Sequence, residues 1–344
     1  MPTLSVDESI ASIQGNPFVS ALLLVYVGAM QRLTTVIPVY NGERYLAETL
    51  QSVATQSRRP DRLVVLDNCS TDGTRKVVER FNGMPCEWRQ NEKNLGLFGN
   101  CNRALEFAAE TDFLHILHAD DVLIPTFYET LLKSGSDMPG RALIYSGCDF
   151  IDENSLAIAA SRADLPEQQA RQIAVRTFLI GRSELRPFYF PTVVLKTNRQ
   201  PSPCQFRMDM PQLADLVFWA DWASHCERII ETQARLCHYR IHQNNDTSRN
   251  VSSLQAWVLD EWKAMQLIKP LLGEKGLPRW IRQQKLKCIL AARAHVKIKL
   301  VQGNSPEFAR QIHESVRATT GLAPWSLGKL AVGLRDFLLY NRKK

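Results

Sequence analysis

FLHILHADDVLIP, residues 113–125, places two adjacent acids directly after a short apolar segment. The mostly apolar residues 113–117 predict a short buried strand. Asp120 and Asp121 follow this strand, and two neighbouring carboxylates must be solvated, hydrogen-bonded or paired with a cation because they repel each other. Carboxylate oxygens suit a hard divalent ion, so one hypothesis is a metal site. The other is that Asp120 caps a helix beginning near Pro125, and these residues alone leave both open.

The segments before this stretch alternate between predicted strands and predicted helices. Apolar and β-branched residues predict strands at 34–39, 62–66, 86–89 and 113–117, with helical segments between them. Alternation at this spacing predicts an α/β fold, in which a mostly parallel sheet carries helices on both faces. In such sheets, ligands bind beyond the carboxyl ends of the strands.

Polar residues follow three of these predicted strands. Tyr40 and Asn41 come after the first strand, Asp67 comes after the second, and Asp120 and Asp121 come after the fourth. Because the carboxyl ends of parallel strands meet at one edge of a sheet, we expect these side chains to lie close together. A helix cap does not require polar residues from other loops beside it, so the expected clustering favours a binding site.

The second half of the chain has a different pattern. Further strands are predicted at 142–150, 186–195 and 233–242, with a helix at 213–229 and two or three helices after residue 256. A chain of 344 residues has room for one large domain, or for a domain with an appendage. Its eight cysteines contain no CxxC pair, which indicates reduced thiols and a cytoplasmic protein, and argues against a disulfide framework or a zinc site.

The net charge of +7 is concentrated near the C-terminus. Residues 255–344 contain 17 Lys and Arg against 6 Asp and Glu, so the first 254 residues carry a net charge of −4. Basic and apolar residues are mixed in KLKCILAARAHVKIKL, residues 285–300, and in LGKLAVGLRDFLLYNRKK, residues 327–344. This mixture is typical of a helix on an anionic membrane surface, and equally of helices that pack on the rest of the protein with a solvated basic face.

The N-terminal segment contains the longest apolar run, residues 18–30. The run falls short of the roughly 20 residues that span a bilayer, and no basic flank precedes it, which argues against a signal peptide. We expect residues 1–30 to be a leader or a loosely ordered extension.

Four segments together carry a resemblance to a known family. VIPVYNGERYLAETLQSVATQ, VVLDNCSTDGT, NLGLFGNCNRAL and HADDVL, in this order and spacing, resemble the family 2 nucleotide-sugar glycosyltransferases, which have the GT-A fold. The resemblance is dense over residues 33–135 and thins out towards residue 250. It implies a nucleotide-sugar-binding half at 31–135, an acceptor-binding half at 136–254 and a basic helical region at 255–344.

The resemblance also implies roles for individual residues. Asp67 would accept a hydrogen bond from a uracil-like imide, and Tyr40 would pack beside the base. His118 stands where many members have an acid, which departs from the family pattern while leaving the two final acids in place. The nucleotide-sugar-binding residues implied are Pro38, Tyr40, Asn41, Asp67, Lys93, Asn94 and Asp120, with Asn91 and Gly96 in the same loop. The implied metal ligands, for Mg²⁺ or Mn²⁺, are Asp120, Asp121 and His242.

Asp215 is the catalytic base that the resemblance implies. It opens the segment LADLVFWADWA, with Asp221 as the competing candidate and simple helix capping as the alternative. CHYRIHQNNDTS resembles the closing segment of the family, which makes His242 a candidate for the ion or the diphosphate and Arg240 a candidate for a phosphate. The alternative for His242, equally compatible with the sequence, is a structural histidine within the core.

The implied activity is metal-assisted transfer of a sugar from a nucleotide-sugar to an acceptor hydroxyl. One base and no protein nucleophile predict a single displacement, which inverts the configuration. The expected donor is a UDP-sugar, and the expected role is in surface polysaccharide or glycoconjugate synthesis. The expected acceptor is a carbohydrate or a lipid-linked saccharide. We also expect peripheral contact of the protein with the inner face of the cytoplasmic membrane. The alternatives are a non-catalytic nucleotide-sugar-binding protein and a sugar nucleotidylyltransferase, although the chain lacks the glycine-rich phosphate loop of the latter. A dinucleotide oxidoreductase would need GxGxxG after the first strand, and nucleic-acid binding would rest on net charge alone.

Overall fold

A computed structural model describes residues 31–135, 140–158, 170–243 and 252–341, with side chains up to residue 336 in the last helix. The expected leader, residues 1–30, lies outside the described residues. Among the described helices, none combines the length and the apolar character needed to cross a membrane.

The first half of the chain forms the predicted alternation of strands and helices. Its strands pair in parallel because each crossover helix returns the chain to the same end of the sheet. Successive elements are β1 (Leu33–Val39), α1 (Leu46–Ala54), β2 (Arg62–Asp67), α2 (Thr74–Arg80), β3 (Glu87–Gln90), α3 (Gly96–Leu105) and β4 (Phe113–Ile116).

The second half adds strands of both directions to the same sheet. In order, its elements are β5 (Val122–Leu123), α4 (Phe127–Gly135), β6 (Ala142–Ile151), β7 (Arg171–Ile173), α5 (Val175–Ser183), β8 (Val193–Lys196), α6 (Ala214–Ser224) and β9 (Arg228–Arg240). The described strands are arranged in the order β3-β2-β1-β4-β8-β6-β9-β5, and β7 pairs with β9. β6 pairs with β9 in parallel, whereas β8 runs antiparallel to both β4 and β6. The α/β class predicted from the sequence is confirmed.

Three boundaries in this half differ from the sequence prediction. The predicted strand at 186–195 is only four residues long, because Phe190–Thr192 forms a 3₁₀ turn around Pro191, which has no N–H for a sheet. The predicted helix at 213–229 ends at Ser224, and β9 begins at Arg228 rather than at 233. The residues at the start of β9 form a strand because they pair with the distant β6 and β7, which local periodicity does not reveal.

The C-terminal region is helical and shares the main core. It contains α7 (Asp260–Ile268), α8 (Gly276–Val301), α9 (Pro306–Thr320) and α10 (Leu322–Asn341). Leu286 and Leu290 on the inner face of α8 belong to the same cluster of buried residues as Trp219 on α6. Two ion pairs from α8, Arg282 and Lys285 with Glu184, reinforce this packing. The inner face of α8 therefore packs on the rest of the protein, which was one of the two interpretations of this basic region.

Candidate active site

The loops after β1 and β2 are joined by hydrogen bonds at the carboxyl edge of the sheet. The backbone N–H of Asn41 donates to Ser70 Oγ (2.8 Å), and Asn41 Oδ1 accepts from the N–H of Thr71 (2.8 Å). The N–H of Gly42 donates to Thr74 Oγ1 (2.8 Å). Asn41 holds a left-handed backbone (φ 53°), which asparagine tolerates better than most residues. The two loops therefore form one rigid rim.

Asp67 ends β2 with its carboxylate buried beneath this rim. Its Oδ2 accepts hydrogen bonds from the N–H of Ser70 (3.1 Å) and from Gln90 Nε2 (3.0 Å). A carboxylate has about four lone-pair directions, so these two donors leave capacity for a ligand. Tyr40 is about half exposed on the same edge, and Pro38 is buried within β1 opposite Leu66. The structure thus brings Asp67 and Tyr40 to one edge, while Pro38 lies inside the strand.

An asparagine network supports the next loop. Asn68 Nδ2 donates to Asn94 Oδ1 (2.8 Å), and Asn91 Nδ2 donates to Asn68 Oδ1 (3.0 Å) and to Asn100 Oδ1 (2.8 Å). Lys93, at the tip of the loop, is exposed and forms no ion pair with the described residues. The family resemblance pointed to Asn91 and Asn94, and Asn68 follows the second predicted strand, whereas the part that Asn100 plays in this network was missed.

The two adjacent acids occupy different environments. Asp121 is 1% exposed; its Oδ1 accepts from the backbone N–H of Arg240 (2.9 Å), and its Oδ2 has no hydrogen-bond partner in the described part of the chain. Burial, followed by the nearby Asp120 carboxylate, raises the pKa of Asp121 well above its usual range. Asp120 is partly exposed, and its Oδ2 lies 3.0 Å from His242 Nε2. A buried acid with an unused oxygen beside a second acid is a site that a cation would stabilise.

Helix capping does not explain these acids. α4 begins at Phe127, and the N–H of Tyr128 in its first turn donates to Gln56 Oε1 (3.2 Å). Among the described residues, neither Asp120 nor Asp121 accepts a hydrogen bond from α4.

His118 completes a group of three metal-ligating side chains. One ligand atom each from His118, Asp120 and Asp121 lies within 4.8 Å of the others, and His118 Nδ1 is 3.8 Å from Asp121 Oδ2. The imidazole is oriented by stacking on Phe190, with ring centroids 4.1 Å apart. The sequence marked His118 only as a departure from the family pattern. Its spacing of three residues before Asp121 was the available signal for a shared site.

Arg240 holds the acidic turn in place. Its Nε donates to the backbone carbonyl of Asp120 (2.7 Å), Nη2 donates to Glu48 (2.6 Å) and Nη1 donates to the carbonyl of Asp152 (3.1 Å). The buried guanidinium also lies 4.7 Å from the centre of the Tyr45 ring. With these donors committed to protein oxygens, Arg240 supports the turn instead of meeting a phosphate as the resemblance implied.

His242 lies beside Asp120 at the end of the chain segment that follows β9. Its mostly buried ring packs 5.0 Å from the ring of Tyr45. The structure therefore brings His242 to the same group of acids, where its direct contact is with a carboxylate oxygen.

Asp215 lies in the first turn of α6 rather than at the cap. The N-cap residue is Leu213, and Asp215 Oδ1 accepts from the N–H of Leu216 (2.7 Å). Burial raises the pKa of Asp215 to about 6, partly opposed by its hydrogen bonds to backbone N–H groups and by the positive charge of Arg182. A carboxylate with a pKa near neutrality is ionised at physiological pH and basic enough to accept a proton.

The competing candidate, Asp221, faces elsewhere. Its side chain is partly exposed and lies 3.7 Å from His225, the residue that caps the end of the helix. α6 reaches the acidic turn through an aromatic wall, in which Phe190 stacks on His118 and packs edge-on against Trp219 (5.2 Å between ring centroids). Asp215 lies four residues before Trp219 and so shares its face of α6, whereas Asp221 lies only two residues after Trp219 and does not.

Comparisons with known proteins show what this chain is similar to. Residues 34–179 match the family described as Glycosyl transferase family 2. The poly(ribitol-phosphate) beta-N-acetylglucosaminyltransferase TarS of Staphylococcus aureus is 33% identical over 97 residues, which cover 27% of this chain and 17% of that protein. The UDP-Glc:alpha-D-GlcNAc-diphosphoundecaprenol beta-1,3-glucosyltransferase WfgD of Escherichia coli is 27% identical over 169 residues, covering 47% of this chain and 64% of that protein. The matches thus span less than two thirds of either relative's length.

A solved structure supports the fold. The crystal structure of S. aureus TarS residues 1–349 in complex with UDP-GlcNAc superimposes with a TM-score of 0.54 at 20% identity, covering 80% of this chain and 74% of that one. This likeness confirms the predicted GT-A fold.

The role of Arg240 can be tested by unfolding. We expect Arg240→Met to lower the free energy of unfolding by about 3 kcal/mol, because it leaves the Asp120 and Asp152 carbonyls without their donor in a buried site. The matched control is Arg171→Met, which removes a solvent-screened ion pair with Glu231 and should lower the free energy of unfolding much less. Urea unfolding followed by tryptophan fluorescence measures both, and equal losses would contradict the assignment.

Proposed function

We propose that this chain, whose residues 34–179 match glycosyl transferase family 2, transfers a sugar from a UDP-sugar to an acceptor hydroxyl with inversion at the anomeric carbon. The observation that carries the proposal is the group of His118, Asp120 and Asp121, whose ligand atoms lie within 4.8 Å of one another. Asp67 ends a strand of the same sheet, and Asp215 is an acid whose pKa burial raises to about 6. These side chains supply a base-recognition acid, a cation site and a proton acceptor, which are the three functions that this displacement requires.

The donor is proposed from the rim and from the relatives. Asp67 retains acceptor capacity for the imide N–H of uracil, and the half-exposed ring of Tyr40 offers a surface on which a base can stack. Lys93 stands on the neighbouring loop with an exposed ammonium that suits a phosphate. UDP-Glc is named as the donor of the E. coli relative, and UDP-GlcNAc is bound in the staphylococcal structure.

The acidic group fits a divalent cation, Mg²⁺ or Mn²⁺. The fit rests on the buried Oδ2 of Asp121, which has no hydrogen-bond partner among the described residues, and on the spacing of the three ligand atoms. We assign Asp120, Asp121 and His118 as ligands, with His242 acting on the site by orienting the Asp120 carboxylate. When bound, such an ion supplies Lewis-acid stabilisation of the negative charge that develops on the leaving diphosphate.

Asp215 is the proposed general base. Its carboxylate takes the proton of the acceptor hydroxyl as the hydroxyl oxygen forms a bond to the anomeric carbon and the bond to the diphosphate breaks. No protein nucleophile enters this scheme, so the displacement is single and inverts the configuration. The relatives named above are both described as forming beta linkages, which is the outcome of inversion from an alpha-linked UDP-sugar.

The acceptor is proposed by analogy with the relatives. One is named for a poly(ribitol-phosphate) acceptor and the other for a diphosphoundecaprenol-linked GlcNAc. We therefore propose a polymeric or lipid-linked saccharide and a role in surface glycoconjugate synthesis. The replacement of an acid by His118 was the support for a non-catalytic protein of the same fold. His118 lies within 4.8 Å of both acids and can itself bind a metal, so the replacement does not favour that alternative.

A panel of nucleotide-sugars tests the transferase directly. With Mn²⁺ present, UDP-sugars should release free nucleotide faster than GDP- or CMP-sugars, because we propose that Asp67 accepts a hydrogen bond from the uracil imide. Release is measured with and without saccharide acceptors, against Asp215→Asn as the background. Tight UDP binding with no release above that background would indicate the non-catalytic alternative.

Replacement of the proposed base should separate binding from chemistry. We expect Asp215→Asn to bind UDP normally and to lower kcat by roughly 10²- to 10⁴-fold, the usual contribution of general-base catalysis. In the parent protein, kcat/KM should fall as the pH drops below about 6, because Asp215 is then protonated and cannot accept a proton. The matched control is Asp221→Asn, a partly exposed acid on the same helix, which should keep both properties. Retention of turnover by Asp215→Asn would place the base elsewhere.

The ligand set predicts a preference among metals. An imidazole ligand favours transition metals, so calorimetric titration should show tighter binding of Mn²⁺ than of Mg²⁺. His118→Asp should narrow that difference, because the site would then contain carboxylates only. Asp121→Asn should weaken both ions, and Asp221→Asn should weaken neither. An unchanged Mn²⁺ affinity in Asp121→Asn would show that the ion binds elsewhere.

A further inference from the structure

α10 packs on the protein through a narrow stripe. Among its residues 322–336, Trp325, Gly328 and Val332 are buried, and their spacing places them on one side of the helix. At Gly328 the helix approaches α8 so closely that a Cβ would lie 2.7 Å from the Cβ of Ala291. The inner face of α10 is therefore fixed against α8.

The outer face of α10 is apolar, where a surface helix normally carries polar residues. Leu327, Leu330 and Leu334 follow each other at intervals of three and four residues, and each is between 55% and 68% exposed. Leu322, at the start of the helix, is 66% exposed. Isolated exposed leucines are common, but an aligned stripe of them marks a surface that binds another apolar phase.

A groove between α8 and α10 extends this surface inward. It has a volume of about 520 Å³, and Val296, Leu300 and Val332 line its apolar part. Arg293 and Arg335 also line it, so cationic groups stand beside the apolar residues. The same mixture recurs along α10, where Lys329 lies between Leu327 and Leu330.

We propose that this outer face of α10 docks on an anionic lipid bilayer. The argument is charge complementarity, since residues 255–344 carry 17 basic residues against 6 acidic ones, and three of the basic residues end the sequence directly after the helix. Each basic residue near an anionic surface contributes about 1 kcal/mol, and stable docking requires such charges in addition to buried apolar groups. A second copy of this chain would also bury the leucines, but it would bring an equal positive charge to the interface, and the two like charges would repel each other.

This docking places the leucine side chains at the boundary between the lipid headgroups and the acyl chains, and the basic residues at the headgroups. It concerns binding alone and does not depend on the proposed transferase activity. A lipid-linked acceptor would nevertheless be presented at the same surface.

Flotation of the full-length protein with lipid vesicles tests the docking. The protein should float with vesicles of phosphatidylcholine and phosphatidylglycerol, float poorly with phosphatidylcholine alone, and detach as salt is raised. Leu330→Glu/Leu334→Glu should lower the partition coefficient roughly tenfold or more, because two apolar anchors are lost. The matched control is Leu156→Glu, an equally exposed leucine in a turn far along the chain. Thermal melting verifies that each variant is folded.

Other outcomes overturn the proposal. Equal flotation of the parent protein and the double-leucine variant would remove α10 as the docking element. Equal flotation with neutral and anionic vesicles would remove the electrostatic part of the argument. If gel filtration shows a dimer that the leucine substitutions dissociate, while flotation is unchanged, the face is an interface between two copies of the chain.

Discussion

The buried guanidinium of Arg240 is the contact on which the candidate site depends. It joins the end of β9 to the turn that carries Asp120 and Asp121, although the two lie 120 residues apart in the sequence. A charge is retained in such a place only if its hydrogen-bonding capacity is used, and Arg240 donates to backbone oxygens of Asp120 and Asp152 and to Glu48. The last strand of the sheet thereby fixes the geometry of a turn that belongs to its first half.

The acids of the site are tuned by their surroundings rather than by their type. Asp121 and Asp215 both have raised pKa values because both are buried, yet Asp121 also faces a second carboxylate while Asp215 faces the positive charge of Arg182. A cation would stabilise the charged form of Asp121 beside the second carboxylate, whereas Asp215 has a pKa near neutral pH. Two carboxylates on one chain are thus suited to different tasks, in line with the roles we propose.

The sequence predicted those parts of the molecule that local patterns encode. The strands and helices of the first half followed from periodicity, and the position of Asp67 and Asp120 after strands of one parallel sheet followed from their order in the chain. Pro191 was the local signal that β8 is short, whereas the early start of β9 could not be predicted because its partners β6 and β7 lie far along the chain. For the same reason the sequence missed the support that Arg240 gives to the acidic turn.

The shared core of α6 and α8 has a consequence for how this protein can be divided. Leu286 and Leu290 fill the space beneath the helix that carries Asp215, together with Trp219 from that helix. The C-terminal helices are therefore not an interchangeable module that can be trimmed away or transplanted between relatives. A hybrid that replaces α8 must also redesign the apolar surface of α6. Otherwise a cavity would form beneath the helix that carries Asp215, the proposed proton acceptor.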